Sequence, residues 1–154
     1  MANIAGEEVW QCTHLGGHRF APAVVTLPDG AFYGRLESSE VKDLVGATTR
    51  GDLVLERLRG RCIFDPVCQT AEWFLRQRTG VLQRNAYVLQ KRQSLDDNRW
   101  LITFQEIGGS SHHITLQQKA AVERLVSCSP SKTKAVTPFH LEAYRRQAAE
   151  GPST

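Results

Sequence analysis

The stretch "PAVVTLPDGAFYGRL", residues 22–36, restricts the fold more than any other part of the chain. Two apolar, β-branched and aromatic runs, 22–27 and 31–36, flank Pro28-Asp29-Gly30. Pro28 fixes φ and Gly30 tolerates positive φ, so the chain reverses here and the runs pair as a hairpin. "NAYVLQKRQ" and "RWLITFQE", on either side of the turn "SLDDN", read as a second hairpin. "EVWQCT" (8–13) and "HHITLQ" (112–117) read as further strands. A helix is expected over "SSEVKDLVGATTRG", capped by Ser38 or Ser39, with Val41, Leu44 and Val45 on one face and Gly51 as its stop. Asp65 as N-cap, Pro66 at the first helical position and Gly80 as stop bound a second helix, with Val67, Ala71, Phe74 and Leu75 at helical spacing. Residues 52–64 read as a short helix or an anchored loop, and Lys119–Val126 as a helix. Hairpins interleaved with helices in this order give an α+β fold; a predominantly parallel sheet does not arise from these pieces.

A chain of 154 residues with 41% hydrophobic content suits one compact core with an appended tail. The expected division is a domain over 1–128 and a tail over 129–154. The tail starts with a linker from Pro130 to Thr137 and ends in a helix over "PFHLEAYRRQAAE". The net charge of +3 is not concentrated in any lysine run or arginine stripe, which argues against a nucleic-acid partner. No apolar stretch approaches the ~20 residues of a membrane span. The N-terminus shows no basic region followed by an apolar block, and four cysteines without an export signal read as reduced thiols. The expected compartment is the cytoplasm.

The residues with chemical potential cluster in "CTHLGGHRFAP". His14 and His18 stand four apart, a common metal-ligand spacing. They do not form the zinc-protease pattern, because Leu15 occupies the place of the glutamate and Gly16-Gly17 would break the helix that pattern needs. A tight glycine loop can still turn both imidazoles toward one ion; the alternative is a solvated or backbone-bonded pair. Cys12 is two residues from His14 and would share its side on a strand. Cys68 falls on the first turn of the second helix, where a thiol is either activated by the helix N-terminus or buried as a small hydrophobe. His112 and His113 would point opposite ways on a strand, so joint ligation is not expected. Arg19, Arg35, Arg59 and Arg61 sit in or near glycine-containing turns, either around an anion or as ordinary surface residues. No nucleophile–base pair, phosphate loop or paired-carboxylate site is visible, so no enzymatic turnover is expected.

"WQCTHLGGHRFAPAVVTLPDGAFYGRL" resembles the central signature of the sucrase/ferredoxin-like family, and "LERLRGRCIFDPVCQTAEWFLR" is similar to its arginine-containing segment and following helix. The likeness runs from about Val9 to Arg78. It implies a partial thioredoxin-like ferredoxin fold, a mixed sheet with hairpins and flanking helices, corresponding to the family's C-terminal half. It also implies a bis-histidinyl 2Fe–2S centre, with His14 and His18 as metal ligands and Arg19, Gly16 and Gly17 as cofactor-binding residues. Two thiolates of the family pattern have no matching position here. The implied function is electron transfer, or supply of the two histidines by half of such a protein. The implied partners are a redox protein, a complementary N-terminal half, or a second copy of the chain. Imidazole ligands in place of thiolates make such a cluster less negative and raise its potential. The other readings are a zinc-stabilised module using Cys12, His14, His18 and a further ligand, and a metal-free interaction or regulatory module. The family name implies no sugar chemistry, since no carboxylate pair supports it.

Overall fold

A computed structural model describes residues 9–125 and 133–149. In chain order its elements are β1 (Ala23–Thr26), β2 (Ala31–Gly34), α1 (Val41–Arg50), β3 (Leu58–Arg61), α2 (Pro66–Thr79), β4 (Tyr87–Asp96), β5 (Arg99–Glu106), β6 (Ser111–Gln118), β7 (Val122–Leu125), β8 (Thr133–Val136) and β9 (Phe139–Gln147). Two short 3-10 turns, His18–Phe20 and Ser38–Glu40, precede β1 and α1. The strands form three sheets, ordered β1-β2-β3, β4-β5-β6-β9 and β7-β8. The fold is α+β, and every pairing among the named strands is antiparallel.

The first hairpin forms where proline and glycine bracket the reversal. Thr26 pairs with Ala31, and Gly30 takes φ 60°. A Cβ on Gly30 would overlap the Cys62 sulfur, so that position is closed to larger residues. Helix α2 starts as its sequence demands: the Asp65 carboxylate accepts from the N–H groups of Val67 and Cys68, and Gly80 ends the helix in the left-handed region. Helix α1 also ends at a left-handed glycine, Gly51. Its entry is shaped by Glu37 and Glu40 in a reciprocal capping box rather than by Ser38 or Ser39.

Two apolar clusters result. Val67, Ala71 and Leu75 of α2 pack on Tyr87, Ile102, Phe104, Ile114 and Leu116 of the four-stranded sheet. A smaller cluster joins Ala31, Tyr33, Leu36, Leu44 and Leu53. Complete burial of side chains such as Ile102 and Leu116 stabilises by about 1.5–3 kcal/mol each. Between the clusters lies a buried ionic triad. Glu72 on α2 accepts from Arg61 of β3 at 2.6 and 3.1 Å, and from Arg76 one helical turn on at 2.9 and 3.1 Å. Arg76 also donates to the carbonyls of Val81, Gln83 and Arg84 at 2.9–3.0 Å, which fastens the loop leading to β4. Burial is the main influence lowering the Arg76 pKa, and the Glu72 carboxylate opposes it.

Several expectations are corrected. Residues 9–13 form no strand. The undecided segment 52–64 contains β3, with Gly60 at φ 135° lying against Gln69 of α2. The helix expected over Lys119–Val126 is replaced by β7, because Val122 and Glu123 find partners in Val136 and Ala135 and cross-strand pairing overrides helix propensity. The expected linker up to Thr137 contains β8, and the expected tail helix is β9. Phe139, Leu141 and Tyr144 pack on the core, yet they do not alternate, since a register shift beside Leu116 inserts one residue into β9. That bulge hides a strand from any period-two reading. The remainder of the expected linker, residues 130–132, lies outside the described residues, as does Cys128.

Removing one member of the triad leaves an uncompensated buried charge. Glu72→Ala should therefore destabilise the chain by about 3–5 kcal/mol, measured by urea unfolding followed by circular dichroism. Arg92→Ala, which breaks the exposed pair with Asp65, should cost no more than about 1 kcal/mol.

Candidate functional site

His14 and His18 meet across the glycine turn. Gly16 and Gly17 adopt φ 77° and 66°, a consecutive left-handed pair that bends the chain back on itself. The His18 Nε2 atom lies 3.1 Å from His14 Nδ1, with ring centroids 4.8 Å apart and planes at 74°. Two nitrogens bound tetrahedrally to one metal at 2.0–2.1 Å would stand about 3.3 Å apart, close to the separation found here. Both residues are exposed.

The turn is fixed from below. The Gly17 carbonyl accepts from Phe20 N–H at 2.8 Å, and the Phe20 carbonyl accepts from Arg35 N–H at 2.7 Å, at the end of β2. A Cβ on Gly34 would lie 2.9 Å from both Phe20 Cβ and Arg59 Cδ, so only glycine lets the turn settle here. A Cβ on Gly17 would fall 2.7 Å from Arg59 Nη2, whereas Gly16 faces open space and is required only for its backbone angle.

Three arginines gather on the Phe20 ring. The guanidinium carbons of Arg59, Arg19 and Arg35 lie 4.2, 4.6 and 5.7 Å from its centroid. A bulge aims Arg59 at the ring. Phe32 pairs with Gly60 and Tyr33 with Leu58, which leaves Arg59 as the extra residue without a partner across the sheet. Arg61, grouped with these residues in the sequence, instead turns inward to Glu72. Burial holds the Arg59 guanidinium below the usual arginine range, and the like charge of Arg19 adds to the effect. Arg59 Nη1 is shielded from solvent and has no hydrogen-bond partner among the described residues.

The cysteines stand apart from the histidines. Among the described residues no group of three or more His, Cys, Asp and Glu side chains is placed to share a metal ion. Cys12 and Cys62 are exposed, and Cys68 is buried in the α2 core. Burial, then the neighbouring Asp65 carboxylate, pushes the Cys68 thiol up to about 11, so the helix N-terminus does not activate it. His112 and His113 diverge as expected on β6. His112 is buried between the Tyr144 hydroxyl at 2.8 Å and Glu106 at 3.2 Å, and His113 meets the Thr103 hydroxyl at 3.1 Å.

Sequence reasoning missed Phe20 as the platform under the arginines, and it missed Lys134, which faces the same cleft from β8. Phe20 was detectable in principle as an aromatic residue next to Arg19. Lys134 carried no signal, because its segment reads as linker. With its thiolate scarce below about pH 11, Cys68 should resist iodoacetamide at pH 8 until the chain unfolds, while Cys12 reacts at once. Peptide mass spectrometry with and without urea measures both rates.

Comparison with curated proteins and with solved structures gives no match. A family comparison does: residues 2–60 fit the Sucrase/ferredoxin-like family. The matched stretch contains the glycine turn, both imidazoles, the first hairpin and Arg59, and ends before α2. Over those residues, the chain is similar to the Sucrase/ferredoxin-like family.

Proposed function

We propose that the chain is a ferredoxin-like electron-transfer protein, or the half of one that supplies two histidine ligands to a 2Fe–2S cluster. The observation that carries this reading is the convergence of His14 Nδ1 and His18 Nε2 to 3.1 Å within the family-matched stretch. His14 and His18 would hold one iron, and the bound cluster would supply one-electron chemistry. The thiolates come from outside the described residues, since Cys12, Cys62 and Cys68 do not join the pair. Arg19, at the end of the turn, would offset negative charge held there, and Gly16-Gly17 keep the two rings turned toward each other.

In this reading the protein has no catalytic residue and works in the cytoplasm. No helix of the described residues is long and apolar enough to cross a membrane. Its partner is a redox protein, a complementary N-terminal half, or a second copy. Among the described residues, strand β1 lies at the edge of its sheet, with β2 on one side only, and an edge of this kind can accept a strand from another chain. A second reading, a metal-free interaction module, is favoured by the direct imidazole–imidazole contact, which partners both rings without an ion.

Anaerobic reconstitution with ferrous iron and sulfide tests the proposal. The expected product is brown-red with visible absorption, and His14→Ala and His18→Ala each abolish the colour. A colourless product that is unchanged by either substitution overturns the reading. Bound zinc, found by elemental analysis, would then indicate the zinc-stabilised module.

A further inference from the structure

The arginine cluster beside the turn does more than neighbour the histidines. Gly17, Arg19, Phe20 and Arg59 form one wall of a cleft of about 350 Å³, and Lys134, Ala135 and Val136 of β8 close it from the other chain segment. Three cations therefore face one space. Among the described residues no carboxylate forms an ion pair with Arg19, Arg59 or Lys134, whereas Arg57, Arg61, Arg76, Arg84 and Arg99 all have acidic partners. A larger cleft of about 470 Å³ shares Arg59 but has no other charged residue in its lining. Charge thus singles out the smaller cleft.

The state of Arg59 indicates what is missing. Its Nη1 is sealed from water with no acceptor among the described residues. A charged donor with one nitrogen shielded from water and no partner for it is destabilising, and native structures rarely keep one. The charge that most affects this guanidinium is the like charge of Arg19. An oxyanion in the cleft would supply acceptors to both guanidiniums and offset their repulsion.

We propose that this cleft binds the phosphoryl group of a small phosphate monoester. Arg19 and Arg59 grip the dianion, Lys134 adds the third charge, and the Phe20 ring and Val136 contact the organic substituent. The site goes beyond electron transfer and needs no metal at His14 and His18.

The test is an amide-shift titration of the ¹⁵N-labelled full chain in low-salt, phosphate-free buffer. The probes are phenyl phosphate, inorganic phosphate and acetate. Phenyl phosphate should give saturable shifts at Gly17, Phe20 and Lys134 and bind at least about threefold more tightly than inorganic phosphate, with acetate weaker still. Arg59→Gln should weaken phenyl phosphate by about tenfold or more. Lys134→Gln, a change at an exposed position that leaves the fold intact, should weaken it by about threefold. Arg92→Gln, remote from the cleft lining, should have no effect. The amide pattern of β4, β5 and β6 reports whether Arg59→Gln still folds. Absence of saturation by about 20 mM overturns the site. Equal affinity in wild type, Lys134→Gln and Arg92→Gln does so too, and inorganic phosphate binding as tightly as the ester overturns the monoester assignment. His14→Ala should leave phenyl phosphate affinity unchanged, so this proposal and the iron–sulfur reading fail separately.

Discussion

One buried carboxylate holds the two halves of the described structure together. Glu72 sits on α2 between Arg61, from the three-stranded sheet, and Arg76, whose guanidinium reaches three carbonyls on the way to β4. Each apolar cluster could form around its own helix, but neither cluster specifies how the sheets meet. The triad helps to, alongside the Arg84–Asp29 ion pair and the bonds from Trp73 and Gln69 to the carbonyls of Leu55 and Arg61, because a charged carboxylate deep in the protein tolerates little displacement from its donors. Replacing all three residues with hydrophobes of similar size would restore packing while losing that directional constraint.

The glycine turn depends on this arrangement indirectly. Arg59 and Arg61 are two residues apart on β3, and a regular strand would send both side chains to the same face. The bulge at Arg59 separates them, so that one reaches into the triad and the other reaches Phe20 beneath the histidine turn. The turn is otherwise anchored by backbone hydrogen bonds at Gly17, His18 and Phe20 and by the absence of a side chain at Gly34. Small residues and a single strand irregularity thus position two imidazoles and three guanidiniums within one region.

Much of this was legible in the sequence where local chemistry decides the outcome. Pro28 and Gly30 gave away the first hairpin, and Asp65, Pro66 and Gly80 bounded α2 at both ends, because turns and caps are set by the residues that form them. The two glycines between His14 and His18 left open whether the rings would meet or stay solvated, and the structure brings them into contact. Elements decided by distant partners were hidden. The residues of β7 favour a helix in isolation and become a strand only through β8. In β9 the inserted residue disrupts the alternation that would have marked Phe139, Leu141 and Tyr144 as one face. Glu72 and Arg76 carried no signal, since nothing in their spacing reveals that Arg61 covers them. Lys134 stayed hidden for the same reason as its strand.

The irregularity on β3 also has an evolutionary corollary. Because Arg59 is itself the inserted residue, a single-codon deletion there would restore a regular strand and take the basic group off the aromatic ring. The interior salt-linked cluster would keep its own donor. Loss of the cleft's central charge is therefore a single mutational step.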